Sequence, residues 1–419
     1  MDRRDFLRSS ALATGAAMAG TLPAPGTRLA APARVAVPTH PPTNIAPLQN
    51  YPDIAPLSRF VFDQRMDQAR RLMRESGADA LVATSGSTDF EYLVGADFGR
   101  SERLIALVLP LNGAAAIVAP SFELSRVKQG AQLADLRGWE ESENPFDLVR
   151  LLLSAGRAKS IVVEPRTDYW VASRIAKALP DAQLVDGTTL FETLRLVKSE
   201  DELVRMRRAI AITEDVIAVT FDALQPGMRD VDVARLLAEE HAKRGVRGDG
   251  LVQFGAQSAM PHGGTTRATL QPGTVVLIDA GCRFQGYTSD ITRTRWFGDN
   301  VPKKFRQVYD VVYDAQSAAM AKVRPGVPAQ EIDRAAREVI TKAGYGNFFT
   351  HRLGHGMGLD GHEAAYMVEG NTLPLKPGLV FSVEPGIYIP GEFGVRLEDD
   401  FTCTATGGTL LSRRAPRLP

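Results

Sequence analysis

Pro272-Gly273-Thr274-Val275-Val276-Leu277-Ile278-Asp279-Ala280-Gly281 and Pro377-Gly378-Leu379-Val380-Phe381-Ser382-Val383-Glu384-Pro385-Gly386 are one pattern written twice, 105 residues apart. Each copy opens on a Pro-Gly turn, continues as a short apolar run that reads as a buried strand, and ends on a carboxylate. Downstream, Gly286 and Asp290 match Gly394 and Glu398. Upstream, a second gap-free match runs at an offset of 99 residues: Leu224-Gln225-Pro226-Gly227 returns as Val323-Arg324-Pro325-Gly326, and Gly245 returns as Gly344. Each of these upstream copies reads helix, Pro-Gly turn, helix, Gly stop. His262-Gly263 is taken as the counterpart of His355-Gly356. One such match is unremarkable by chance, but several in the same order point to a duplicated α+β unit whose halves face each other about a pseudo-twofold axis.

The duplication supplies paired acids: Asp279 and Asp290 from the first half, Glu384 and Glu398 from the second. A single acidic residue after a strand is ordinarily a solvated turn residue. Four in duplicated positions, converging as the halves pack, would repel one another in a low-dielectric interior. Two divalent cations would remove that cost. His355, in the glycine-flanked Leu353-Gly354-His355-Gly356, adds one nitrogen. One imidazole with four carboxylates is a hard, oxygen-rich donor set, which favours Mn²⁺ or a similar ion over a thiolate-bound structural zinc, with Co²⁺ and Zn²⁺ as alternatives. The spacing suits two metals better than one.

The rest of the 419-residue chain narrows the reading. Lys plus Arg and Asp plus Glu are 49 each, which argues against a nucleic-acid binder. Only Cys282 and Cys403 occur, so zinc-finger and iron–sulfur frameworks are excluded, and both are read as free thiols. Arg3-Arg4-Asp5-Phe6-Leu7 followed by the uncharged, Ala- and Gly-rich stretch 9–27 has the layout of an export signal. It resembles the twin-arginine type, so residues 1–30 are expected to be a signal peptide and the protein to be periplasmic or secreted. No later stretch is apolar enough to span a membrane. Residues 31–56 read as a Pro-rich linker. Residues 57–197 alternate helix and strand, with apolar runs at Ala80–Ala83, Leu104–Leu109, Ala115–Val118 and Ile161–Val163, and read as an α/β domain. Ser199-Glu200-Asp201-Glu202 then caps a long amphipathic helix that opens the duplicated region, 198–412.

These motifs together carry a resemblance: Leu277–Gly281, Ser289-Asp290-Ile291-Thr292-Arg293-Thr294, His351-Arg352-Leu353-Gly354-His355-Gly356-Met357-Gly358-Leu359-Asp360-Gly361-His362-Glu363, Val383-Glu384-Pro385-Gly386 and Val395-Arg396-Leu397-Glu398. They are similar to the pita-bread metallopeptidases, in the branch of Xaa-Pro dipeptidases (prolidases) and aminopeptidase P. The α/β region resembles the creatinase-like N-terminal domain of that branch. The resemblance implies that Asp279, Asp290, His355, Glu384 and Glu398 hold two metals, with Asp290 and Glu398 bridging. It also implies hydrolysis by a metal-bridging hydroxide, with Glu384 shuttling its proton. His262 would contact the substrate and serve the leaving nitrogen. His362 would donate to the developing oxyanion, and His351 would line the pocket on the proline side. Arg396, two residues from Glu398 and expected on the same strand face, would bind a carboxylate or support a ligand. Tyr287 and Tyr388 are read as packing groups.

The expected substrates are short proline-containing peptides, and the family implies a homodimer. The 14-residue spacing from Glu384 to Glu398 leans towards an Xaa-Pro dipeptidase, with aminopeptidase P as the alternative. A creatinase-like enzyme would lack the full ligand set. A non-catalytic peptide-binding module of the same fold would have lost it.

Overall fold

The computed structural model describes residues 51–418. The signal-peptide reading of 1–30 and most of the Pro-rich segment lie outside the described residues. Among the described residues, no helix is long and apolar enough to cross a membrane.

The N-terminal domain is a six-stranded mixed sheet with helices on its faces. Its central strands are Ala80–Thr84, Ala106–Pro110, Ala116–Pro120 and Ser160–Val163, where the apolar runs predict them. Ala80–Thr84 pairs antiparallel with Ala106–Pro110 and parallel with Ser160–Val163. Sequence reading misses the two outer strands, Leu136–Trp139 and Gln183–Asp186. Both are edge strands, half exposed and polar, so they carry no apolar run to read. The helices Thr88–Val94 and Thr188–Leu196 are also missed, and both later bear on the site. A core cluster passes from this domain into the next: Phe90, Leu93, Phe191 and Leu194 pack in one apolar body with Leu203, Met206, Ile210, Ile278 and Tyr287.

The duplication is visible in the backbone. In the first half, helices Glu200–Asp222 and Asp230–Lys243 cover a sheet whose long strands are Arg247–Phe254, Thr274–Phe284 and Ile291–Phe297. In the second, helices Lys303–Lys322 and Ala329–Lys342 accompany strands Gly354–Gly356, Glu363–Met367, Val380–Val383, Asp399–Cys403 and Gly408–Leu410. Ser199 caps the helix as expected, and Glu202 reaches back to complete a capping box with it. The repeated glycines share left-handed backbones: φ is 89° at Gly227 and 84° at Gly326, and 86° at both Gly273 and Gly378. Even the anchoring bonds repeat. Gly227 N–H donates to Leu270 O at 2.8 Å, and Gly326 N–H to Leu375 O at 2.9 Å.

Strand register corrects one equivalence. Phe254 pairs with Val276, and Gly356 pairs with Phe381, the repeat of Val276. The position equivalent to His355 is therefore Gln253, not His262. The sequence match fails there because the intervening loops differ in length. Buried Gln253 donates to Gln257 O and Met260 O at 2.7 and 2.8 Å. It thereby holds the loop that carries His262. Cys282 and Cys403 are both buried, unpaired and in separate core clusters.

Candidate active site

The two halves meet along their inner strands. Glu398 N–H donates to Thr292 O at 3.1 Å, and Thr294 Oγ1 donates to Arg396 O at 2.8 Å. Asp279 lies within its strand, Asp290 just before Ile291–Phe297, Glu384 just after Val380–Val383, and Glu398 just before Asp399–Cys403. The acids thus sit where strands begin, end or cross the interface, and they face a cavity of about 490 Å³. All nine predicted site residues line it: His262, Asp279, Asp290, His351, His355, His362, Glu384, Arg396 and Glu398.

The five predicted metal ligands form two adjoining groups. Asp279, Asp290 and Glu398 bring carboxylate oxygens within 4.8 Å of one another, and His355, Glu384 and Glu398 bring ligand atoms equally close. Glu398 belongs to both groups. His355 Nε2 lies 3.6 Å from Asp290 Oδ2 and 3.5 Å from Glu384 Oε1. His355 Nδ1 donates to Gly356 O at 3.0 Å, which leaves the Nε2 lone pair facing the acids, as a metal-ligating imidazole requires. The flanking glycines make this position possible. A Cβ on Gly354 would stand 1.9 Å from Ser382 O, and one on Gly356 would stand 1.8 Å from Ala364 O.

Electrostatics tests whether cations fit. Burial, then the Glu398 and Asp279 charges, pushes the Asp290 carboxyl well above its usual range. Burial and Glu398 do the same to Glu384, against the opposing pull of Arg396. Glu398 is pushed up to about 7, by burial first and Asp279 next. His355 is lowered to about 3 by burial and by His362, so it is a neutral donor at pH 7. A neutral nitrogen and an over-supply of crowded carboxylate suit two hard divalent cations. Raised carboxyl groups make the protein without cations less stable as pH rises from the ordinary Glu value towards 7. Chelation should therefore lower the melting temperature more at pH 8 than at pH 5.5. Equal losses at both pH values would contradict this account.

Arg396 is the main local counter-charge. Its Nη2 donates to Asp279 Oδ2 at 2.6 Å, Nε to Thr292 Oγ1 at 3.1 Å, and Nη1 to Tyr388 OH at 2.9 Å and Pro261 O at 3.1 Å. Thr292 Oγ1 donates onward to Glu398 Oε2 at 2.6 Å. Arg396 thus orients two ligands at once. Its shared-face argument needs correction: Arg396 ends the strand Phe393–Arg396, whereas Glu398 lies beyond that strand. The chain turns between them from the two-stranded ribbon into the main sheet.

Two further histidines have defined proton positions. His351 Nδ1 donates to Arg352 O at 2.7 Å, so Nε2 accepts from Tyr388 OH at 2.8 Å. Burial lowers His351 to about 4 and keeps it neutral. Tyr388 packs, as expected, but it also links His351 to Arg396, which sequence reasoning misses. Arg352 Nη2 donates to His362 Nδ1 at 3.4 Å, which puts the His362 proton on Nε2. The His362 ring stacks on that of His355, with centroids 3.8 Å apart.

Residues 204–405 match the metallopeptidase family M24, and residues 65–197 match the creatinase/prolidase N-terminal domain. The chain is 38% identical to a probable dipeptidase PepE of Mycobacterium tuberculosis, over 84% of this chain and 94% of that one. This chain belongs to metallopeptidase family M24. It is also 34% identical to an Xaa-Pro dipeptidase of Lactobacillus helveticus, over 82% of this chain and 95% of the relative. Among solved structures, the dipeptidase PepE of Mycobacterium ulcerans aligns with a TM-score of 0.79 at 36% identity, covering 87% of this chain and 98% of that one. The M24 enzyme is therefore a peptidase with a creatinase-like N-terminal domain, a pita-bread catalytic domain and a carboxylate-rich candidate metal centre.

Proposed function

We propose that this M24 enzyme is an exported Xaa-Pro dipeptidase, with Asp279, Asp290, His355, Glu384 and Glu398 holding two divalent cations, Mn²⁺ in the first instance. The observation that carries the hydrolytic reading is the pair of ligand groups sharing Glu398 in one cavity. The two mycobacterial dipeptidases support dipeptides as substrates, and the Xaa-Pro dipeptidase of Lactobacillus helveticus supports proline after the scissile bond.

Bound cations would polarise the scissile carbonyl and lower the pKa of the attacking water. Glu384, steadied by a 3.3 Å hydrogen bond from Ser382 Oγ, takes the proton of that water and returns it to the leaving nitrogen. His362 Nε2–H donates to the oxygen that gains charge at the scissile carbonyl. His262, on the loop braced by Gln253, approaches from the leaving-group side. His351 already uses both ring nitrogens, so it bounds the proline subsite by shape. An Xaa-Pro bond has no N–H, and nothing in this set of groups asks for one.

Side-by-side hydrolysis of Ala-Pro and Ala-Pro-Ala by Mn²⁺-loaded enzyme tests the substrate. Cleavage of the dipeptide alone is expected. Efficient release of alanine from the tripeptide would make the enzyme an aminopeptidase P. Failure on both, with any divalent ion, would remove the proline assignment.

A further inference from the structure

The loop Gly358-Leu359-Asp360-Gly361-His362-Glu363 carries His362, the oxyanion donor proposed above, and is closed by Asp360 N–H donating to Glu363 Oε1 at 3.1 Å. The His362 side chain is exposed, bonded at 3.4 Å by Arg352 and stacked on His355. The loop backbone is tied within the catalytic domain, by Thr288 Oγ1 to Gly358 O at 3.0 Å and Asp360 O at 3.2 Å and by Arg283 Nη2 to Leu359 O at 3.0 Å, whereas its two acidic side chains are also gripped by the N-terminal domain. Arg195, on the N-terminal domain helix Thr188–Leu196, donates through Nη2 to Asp360 Oδ2 at 2.8 Å and also to Glu363 Oε1. Through Nη1 it reaches Asp89 Oδ1 at 2.6 Å and Thr88 Oγ1 at 3.0 Å. Thr88 Oγ1 donates to Asp360 Oδ2 at 2.7 Å, and Arg166 Nη1 to Asp360 Oδ1 at 3.0 Å. Lys198 Nζ completes the set at 2.8 Å from Glu363 Oε2. Arg195, Asp89, Lys198 and Glu363 are all buried. Three cations balance three anions around the loop, and the residues bracketing His362 are both tied to the N-terminal domain.

We infer that Arg195 is a positioning residue for hydrolysis: by bridging Asp360 and Glu363 it sets where the His362 imidazole stands, which makes the N-terminal domain a working part of the active site. The inference rests on the oxyanion role proposed for His362. The geometry needs a planar fork. A guanidinium can serve Asp89, Asp360 and Glu363 together, whereas a single ammonium cannot do so in the same directions. Displacing a catalytic group by about 1 Å costs on the order of 100-fold in rate.

A double-mutant cycle on the metal-loaded enzyme tests this, using Arg195→Lys, His362→Ala and the pair. Arg195→Lys is expected to lower kcat by about 10- to 100-fold with KM changed by less than about threefold. The double variant should be no more than about twofold slower than His362→Ala alone. Losses that multiply would overturn the positioning role while leaving the oxyanion role intact. A harmless His362→Ala would instead overturn the oxyanion role, and the inference with it. Side-chain NMR of ¹³C-labelled histidine in the diamagnetic Zn²⁺-loaded protein gives a readout apart from activity. The His362 resonance, assigned by its loss in His362→Ala, should broaden or split in Arg195→Lys, and an unchanged sharp line would count against the inference. If Arg195→Lys does not fold, Thr88→Val removes one tie to Asp360 at nearly constant volume. The same cycle then applies with a smaller loss, and multiplying losses again overturn the idea.

Discussion

Asp290→Asn should fold, lose tightly held divalent metal and lose hydrolysis by about three orders of magnitude, which is roughly 4 kcal/mol of transition-state stabilisation. The side chain is nearly isosteric, and its backbone N–H keeps the 3.2 Å bond to Asp400 Oδ2. What changes is charge and ligand strength. Burial and the Glu398, Asp279, Asp400 and Glu384 charges all oppose ionisation of Asp290 in the absence of cations. A neutral amide relieves that repulsion. The metal-free variant should therefore be at least as stable to urea as metal-free wild type, although the metal-loaded wild type is the more stable of the two loaded proteins. Elemental analysis after dialysis, with urea melts in both states, separates ligand loss from misfolding. Two equivalents of metal with undiminished turnover would show that Asp290 is not a ligand the centre depends on.

Glu363→Ala should be the costliest single change to stability, at about 3–5 kcal/mol. It removes the partner shared by Arg195 and Lys198, both buried, and leaves two cations with one fewer anion. Burial alone would raise the Glu363 carboxyl, but Lys198 and Arg195 outweigh it and hold the group below its ordinary value. A carboxylate with a depressed folded pKa stabilises above its unfolded pKa of about 4.3 and loses that contribution as pH falls through the folded value. The stability gap between wild type and Glu363→Ala should accordingly be widest at neutral pH and shrink in acid. Urea melts at pH 7 and pH 3.5 measure it, and a gap independent of pH would show that packing, not charge, is lost.

Both changes concern residues within the quoted motifs, yet only one of them was legible in its role. Asp290 stands out because the duplication gives it a partner, Glu398, at a matching place on a matching strand. The pattern 275–279 declares both its buried strand and its carboxylate, since apolar periodicity and a terminal charge are local properties. Glu363 is different. Its partners are 165 and 168 residues away in the chain, and no local pattern joins them. In the sequence Arg396 stands out only for its closeness to Glu398, whereas the reason for its place is a web through Asp279, Thr292 and Tyr388. The edge strands Leu136–Trp139 and Gln183–Asp186 are hidden for a related cause: an edge needs only one partner and little apolar surface. What depends on side chains meeting across the fold stays hidden until the fold is known.

The exchange of His355 for Gln253 at equivalent positions has a further meaning. A site built from two identical halves would look the same from either end, and a peptide could lie in it forwards or backwards with equal energy. Here one half spends that position on an imidazole facing the carboxylates. The other half spends it on an amide that braces the His262 loop from behind. The cavity thereby acquires a head and a tail. A backbone inherited twice can then read the direction of a chain that runs from amine to carboxylate.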